Sequence, residues 1–283
     1  MPNATERART TRIVQSRHNS RVKELRAAFS HPGKGERGLA AIEGELLLAE
    51  ALRSGLAPLA VFVRSGQWDA LERVAAQVPA RAPLDAAEIL ELPAGIFASA
   101  VDTESPQGIA ALLRPPRFDW DDLFPPHAPA LLLIAAGLQD PGNLGTLIRS
   151  AEAFGATGVI TLPGTVHIWN AKVMRASAGS VFRMPVVTCR EEEMIERLAA
   201  QGVALFATTA EGELPATQAA LTQPCALLIG NEGAGLAPHL LQAADARLAI
   251  PTPGPVESLN AGIAGSILLY EASRQRAASQ REQ

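Results

Sequence analysis

The chain has 283 residues, 47% of them hydrophobic and 19% charged, and a formal net charge of −4. This composition excludes an intrinsically disordered chain, and the length accommodates one large or two ordinary domains. Two cysteines, Cys189 and Cys225, cannot supply a disulfide framework or a structural zinc site, so a reducing, cytoplasmic setting is expected.

The net charge hides an asymmetry. Residues 1–40 carry nine Lys or Arg against three Glu, so this arm is +6 and the remainder −10. A basic arm on an acidic body suggests an anionic partner, nucleic acid first, with a merely solvated tail as the alternative. The opening "MPNATERARTTRIVQSRHN" lacks the apolar core of a signal peptide.

In chain order, "LAAIEG" and "LAVFVRSG" read as short strands, followed by the helices "ELLLAEALRSG" and "WDALERVAAQ". "QGIAALLRP" closes this half as another strand, which predicts a small α/β domain over residues 1–115. "RPPRFDWDDLFPPHAP" at 114–129 has five prolines among its residues and no periodicity, so residues 116–128 are expected to link two domains. The second domain, 129–283, opens with "PALLLIAAGL", too short to span a bilayer and suited to a buried strand. "GNLGTLIRSAEAFGA" follows as a helix that stops at a glycine.

"GVITL", "PVVTC", "VALFATT", "CALLIGN" and "ARLAIP" are further strands, covered by the helices "EEEMIERLAAQG" and "APHLLQAADA". Nearly continuous apolar runs of this kind predict a parallel sheet buried on both faces. The last helix follows three prolines, with Ser258 as its expected N-cap and Leu259, Ile263, Ser266, Ile267 and Tyr270 at helical spacing.

Several chemistries are set aside. "GNEGAG" has the wrong offsets for a dinucleotide turn, "GKGERG" lacks the Walker A order, and no G-x-S-x-G elbow occurs. His18, His31, His127, His167 and His239 show no paired metal-ligand spacing. What remains are polar residues in glycine- and proline-rich turns at strand ends, where open α/β sheets bind ligands. These are Asn143 and Arg149 beside Gly142 and Gly145, Asn231 and Glu232 between Gly230 and Gly233, and Ser258 with Asn260 after the prolines. Singly each could be a turn former or a cap; together they place amide, carboxylate, hydroxyl and guanidinium groups on three loops at one sheet edge.

"DPGNLGTLIRSAEAFGA", "LLIGNEGAGL" and "IPTPGPVESLNAGIAGSILLYE" resemble, in order, the three motifs of the SpoU (TrmH-type) RNA 2′-O-ribose methyltransferases of the SPOUT superfamily. The likeness covers about residues 129–275. "SRHNSRVKELR", "EGELLLAEAL" and "SPQGIAALL" resemble the L30e-like, substrate-binding α/β module found before that domain in the family. The resemblance implies an α/β methyltransferase domain with a trefoil knot, S-adenosylmethionine as cofactor, no metal, a homodimer through the knotted domain, and RNA as partner. Among the branches, ribosomal RNA methyltransferases are the most similar. A tRNA ribose methyltransferase of the same family and a non-catalytic RNA-binding protein are the alternatives.

Carried over residue by residue, the motifs put Gly230, Ile250 and Leu259 at the cofactor, with Thr208 beside them. They put Arg149 at the centre of catalysis, with Asn143, Glu232, Ser258 and Asn260 around it. Arginine ionises near pKa 12.5–13.8, so deprotonating one at pH 7 costs about 8 kcal/mol. Arg149 is therefore expected as a phosphate and alkoxide clamp oriented by Glu232, with Ser258 or Asn260 hydrogen-bonded to the ribose. Arg17, Arg21 and Lys23 are the expected RNA contacts of the basic arm.

Overall fold

The computed structural model describes residues 11–33, 38–78, 82–256 and 258–281. Arg7, Arg9, Lys34 and Arg37 of the basic arm lie outside the described residues, as does Glu257. Two compact units result: the described part of Met1–Pro116 together with Trp169–Arg183, and Arg117–Ile168 with Met184–Gln283.

The first unit contains β1 (Thr11–Ile13), α1 (Ser20–Ser30), β2 (Ala40–Glu43), α2 (Glu45–Arg53), β3 (Pro58–Arg64), α3 (Trp68–Gln77), α4 (Ala82–Asp85), β4 (Glu88–Leu92), α5 (Ala94–Ala100) and β5 (Ile109–Leu113). Its five strands lie in the order β1-β4-β3-β5-β2. β4 pairs in parallel with β1 and β3, whereas β5 runs antiparallel to β3 and β2. Sequence patterning finds β2, α2, β3, α3 and β5 but passes over β4, whose "EILEL" contains two glutamates. Those carboxylates are engaged at the surface, Glu88 by the Arg21 guanidinium at 2.8 Å and Glu91 by the Trp68 indole at 3.0 Å, while Leu90 and Leu92 are fully buried. Glu43, at the end of β2, is buried and accepts from the Thr103 hydroxyl (2.6 Å) and the Gln107 amide (2.7 Å). Gly44 next to it has φ +100°, and a side chain there would collide with Gln107. "EGELLLAEAL" and "SPQGIAALL" thus meet in space around one carboxylate.

The second unit begins with a 3₁₀ turn at Asp121–Leu123, inside the stretch expected to be a linker. Leu123 is fully buried in this unit's core, and the Trp120 indole donates to Glu193 at 3.1 Å. There follow β6 (Leu131–Ala135), α6 (Pro141–Ala153) and β7 (Gly158–Thr161). The next helix, α7 (Ala171–Ala176), belongs to the first unit, where Trp169 stacks on Phe182 and Arg183 reaches Glu50 at 2.8 Å. The second unit resumes with β8 (Val186–Thr188), α8 (Glu191–Ala200), β9 (Ala204–Thr208), β10 (Leu214–Pro215), β11 (Cys225–Ile229), α9 (Pro238–Ala243), β12 (Ala246–Ala249) and α10 (Ala261–Arg281).

Its seven strands are all parallel, in the order β10-β12-β9-β11-β6-β7-β8. Every residue of β6 and of β11 is buried, as their continuous apolar runs predict. From β6 the chain adds β7 and β8 on one side, then crosses to build β9, β11 and β12 on the other. The carboxyl ends beside such a reversal are where open α/β sheets place ligands.

The face of α10 that packs is not the expected one. Ile263, Ile267 and Tyr270 are 52%, 38% and 55% exposed, whereas Gly262, Ala264, Gly265, Leu268 and Leu269 are buried. Small residues win because α6 approaches very closely. A Cβ on Gly262 would lie 3.2 Å from Asn143 Oδ1, and one on Gly265 would run into Leu147. The small-residue face therefore serves packing within the chain.

Candidate functional site

Three loops at the carboxyl ends of the parallel strands carry the conspicuous residues. After β6 the chain turns at Gly137 (φ +69°) and enters α6, whose first turn is built from "DPGN". Asp140 is the N-cap, accepting from the Asn143 amide at 2.8 Å, and Pro141 occupies the first turn, where a missing N–H costs nothing. A carboxylate is favourable at this end of the helix, and a second one arrives from the loop after β11. Glu232 accepts from the backbone amides of Asp140 (3.1 Å) and Gln139 (3.3 Å) and from the Asn143 side chain (3.0 Å). Burial pushes this carboxyl up, but the hydrogen bonds from Asn143, its own backbone, Gln139 and Asp140 outweigh it and hold the group below the usual glutamate value.

The loop from Gly230 to Gly235 is closed by a pair of backbone bonds between Asn231 and Gly235, 3.0 Å each. Asn231 organises it further. Its side-chain oxygen Oδ1 accepts from the Gly233 and Ala234 amides at 2.9 Å, and its Nδ2 donates to the Gly137 carbonyl at 2.7 Å. Gly230 is needed for this closure, since a Cβ there would fall 2.6 Å from the Gly235 carbonyl carbon. A side chain at 230 would strike its own loop before meeting any ligand.

The third loop descends from Ile250 through the prolines to α10. Ser258 is not the N-cap. The cap is Asn260, whose side-chain oxygen accepts from the Ile263 amide at 3.2 Å, so the helix begins at Ala261. Asn and Ser serve equally well as caps, and local sequence cannot choose between positions two residues apart.

The second and third of these loops, together with residues 208–210 at the end of β9, bound a cavity of ≈ 320 Å³ in the second unit. Thr208, Gly230, Glu232, Ile250, Ser258 and Leu259 all line it, and among the lining residues Glu232 alone is charged. Asn143 joins through its bond to Glu232, and Asn260 through the start of α10. Arg149 lies outside the lining. It is exposed on α6, six residues beyond Asn143, and Glu232 turns toward Asn143 instead of orienting the arginine as expected. Thr209 also lines the cavity, and the hydroxyl oxygens of Thr208 and Thr209 are buried without a hydrogen-bond partner.

In the first unit, Arg17 and Lys23 are exposed and make no ion pair among the described residues, whereas Arg21 is tied to Glu24 and Glu88, each at 2.8 Å. No group of three or more His, Cys, Asp or Glu side chains suited to a metal occurs among the described residues.

Sequence reasoning picks out Asn231 beside Glu232 without giving it a role, which the structure shows to be organisation of its own turn, and it misses Thr209. Thr209 follows an apolar strand as the second of two threonines, a signal too common to single out. Chemically, the cavity offers a mixed polar and apolar lining, with glycine turns, neutral hydrogen-bonding groups and one carboxylate.

The comparisons with known proteins agree with this arrangement. The family described as "SpoU rRNA Methylase family" matches residues 130–270. The chain is 33% identical over 260 residues to the 23S rRNA (guanosine(2553)-2′-O)-methyltransferase RlmP of Bacillus subtilis (strain 168), covering 91% of this chain and 97% of that one. It is 36% identical over 179 residues to the 23S rRNA (guanosine-2′-O-)-methyltransferase RlmB of Vibrio vulnificus (strain CMCP6), covering 62% and 72% of the two chains. Among solved structures, the AdoMet-bound rRNA methyltransferase from Sinorhizobium meliloti superposes with a TM-score of 0.80 at 30% identity, over 94% of this chain and 98% of that one. With its three motifs gathered on one rim of a parallel sheet and near-complete coverage of such relatives, the chain belongs to the SpoU rRNA methylase family.

Proposed function

We propose that this protein transfers a methyl group from S-adenosylmethionine to a ribose 2′-hydroxyl of RNA, with ribosomal RNA as the substrate. The observation that carries this reading is the cavity itself, which gathers residues of the second and third family motifs and touches the first through the Glu232–Asn143 bond. The residues present fit the cofactor. The cavity has apolar lining residues for a flat base, glycine turns that expose backbone groups, and two buried hydroxyls in want of partners. When bound, the cofactor supplies an electrophilic methyl group on sulfur whose departure needs no protonation.

The chain's own task is to bind, align and stabilise. Thr208, Gly230, Ile250 and Leu259 hold the donor, and Glu232 with Asn143 sets the loop geometry at the head of α6. Arg149 clamps the RNA phosphate and the oxygen charge that develops as the 2′-hydroxyl releases its proton to solvent water. Ser258 hydrogen-bonds the ribose, as does the amide of Asn260, whose oxygen is committed to the helix cap. Alignment of two reactants in this way can supply about 7–11 kcal/mol of the barrier.

The test is transfer of a labelled methyl group to a ribosomal RNA transcript, followed by alkaline hydrolysis. A 2′-O-methylated linkage resists alkali, and DNA of the same sequence, lacking the 2′-hydroxyl, is inert. An alkali-labile product would place the methyl on a base and overturn the reaction class.

We infer further that the first unit is an L30e-like RNA-binding domain and the second unit a methyltransferase domain with a trefoil knot, working in the cytoplasm. The knotted reading is supported by the match to the SpoU family over residues 130–270. A homodimer through the second unit is part of the same proposal, supported by the exposed apolar stripe of Ile263, Ile267 and Tyr270. Sedimentation at micromolar concentration tests it, and a fully active monomer would remove it.

A further inference from the structure

Among the described residues, the hydroxyl oxygens of Thr208 and Thr209 are the buried side-chain polar atoms without a hydrogen-bond partner. Other partly buried threonine hydroxyls among the described residues do find partners. Thr161 pairs with Thr188 at 2.7 Å, Thr165 donates to the Ala135 carbonyl at 2.9 Å, and Thr103 donates to Glu43 at 2.6 Å. The local backbone is satisfied as well, since the Thr209 amide donates to the Leu248 carbonyl at 3.0 Å. The deficit is therefore confined to two adjacent side chains, and both line the cavity. A buried hydroxyl without a partner forfeits its hydration for nothing, so native proteins seldom leave one where no ligand will supply the bond.

We propose that Thr208 and Thr209 are specificity residues whose hydroxyls are completed by the nucleoside half of the methyl donor, a step that rests on the cofactor reading above. The lining argues for that half. Its lining includes Ile229, Leu236, Ile250 and Leu259, which suit a flat ring, and it holds no cation to take the donor's carboxylate. One staggered step about χ1 exchanges the threonine hydroxyl with its methyl position, so a buried oxygen can turn to an arriving partner.

Removing these hydroxyls has opposite effects on the two states of the protein. Thr→Val keeps the shape, abolishes an unpaired polar atom in the cofactor-free protein and deletes a contact in the complex. T208V and T209V should each melt higher than wild type without cofactor, yet bind S-adenosylmethionine about five- to tenfold more weakly by calorimetry. 5′-Methylthioadenosine, which keeps the nucleoside and lacks the amino-acid half, should lose affinity by the same factor. T208S and T209S, which retain the hydroxyl, should bind within about twofold of wild type.

Unchanged affinity in both Val variants overturns the inference, and so does a lower melting temperature of either variant without cofactor. A loss confined to S-adenosylmethionine, with 5′-methylthioadenosine unaffected, overturns the assignment to the nucleoside half. Failure of the wild-type protein to bind either molecule overturns the cofactor reading itself, a result separable from all the others.

Discussion

The two rims of the seven-stranded sheet are made by the same strands and finished in opposite ways. At the amino-terminal rim, the Arg276 guanidinium donates to the carbonyls of Pro129, Ala130, Leu221 and Gln223 at 2.6–3.0 Å. Gln275 adds a bond from the Leu221 amide at 3.2 Å. The chain satisfies this rim by itself. At the carboxyl rim the strands end in glycine and proline turns, with two buried hydroxyls lacking partners around an open cavity. Both rims use α10. Ala261 and Ala264 in its first turns line the cavity, and Arg276 lies fifteen residues after Ala261, about 22 Å along the axis. The contrast teaches that polar groups saturated from within stabilise a fold, while those left unsaturated are available to a ligand.

If this division holds, changes at the carboxyl rim cost chemistry first and changes at the amino-terminal rim cost stability first. The largest effect is expected from Arg149→Ala, which should lower turnover about 10²- to 10³-fold by removing charge stabilisation in the transition state. S-adenosylmethionine affinity, measured by calorimetry, should be unchanged because Arg149 is not in the cavity lining. Normal turnover in this variant would remove its place in the mechanism.

Arg276→Met comes next, since it strands several carbonyls while keeping the aliphatic stem. A loss of about 2–3 kcal/mol in urea unfolding is expected, with cofactor affinity intact. Parallel loss of affinity would break the comparison by showing that α10 couples the two rims.

A smaller effect, with a definite sign, concerns Glu232. Its folded value lies below the ordinary glutamate value of about 4.3, so its contribution to stability is present above that pH. The contribution is lost as pH falls through the lowered folded value. Glu232→Gln should flatten that acid limb in unfolding measured at stepped pH. An unaltered limb would mean that the hydrogen bonds from Asn143, Gln139 and Asp140 do not depend on the carboxylate charge.

The smallest effect is placed away from both rims, in the first unit. Replacing exposed Arg17 and Lys23 with Gln should weaken RNA binding and reduce the slope of log affinity against log salt by about 1.4, for two contacts at about 0.7 each. Arg21→Gln should act differently, lowering stability by at most about 1 kcal/mol through its ion pairs with Glu24 and Glu88. An unchanged salt slope in the double variant would make these two side chains a solvated surface only.

Local physics determined much of this protein without the structure. Continuous apolar runs dictated buried parallel strands, because a strand covered on both faces has no polar side. The apolar spacing of "GNLGTLIRSAEAFGA" located α6 to within a residue of its start at Pro141, and the ordered glycine and proline turns placed the motifs at strand ends. What local rules could not reach was decided by packing. β4 was hidden by Glu88 and Glu91, which are tolerable in a strand only because Arg21 and Trp68 arrive from distant elements. The packing face of α10 was inverted because α6 comes close enough to demand glycine, leaving Ile263, Ile267 and Tyr270 outside. Glu232 found Asn143 in place of Arg149, and Thr209 emerged as a lining residue, only once β9, β11 and β12 lay side by side. Sequence periodicity records how each segment meets water, one turn or one pleat at a time. Which side chain meets which across a sheet order such as β12-β9-β11-β6 is set by long-range contacts that periodicity does not carry.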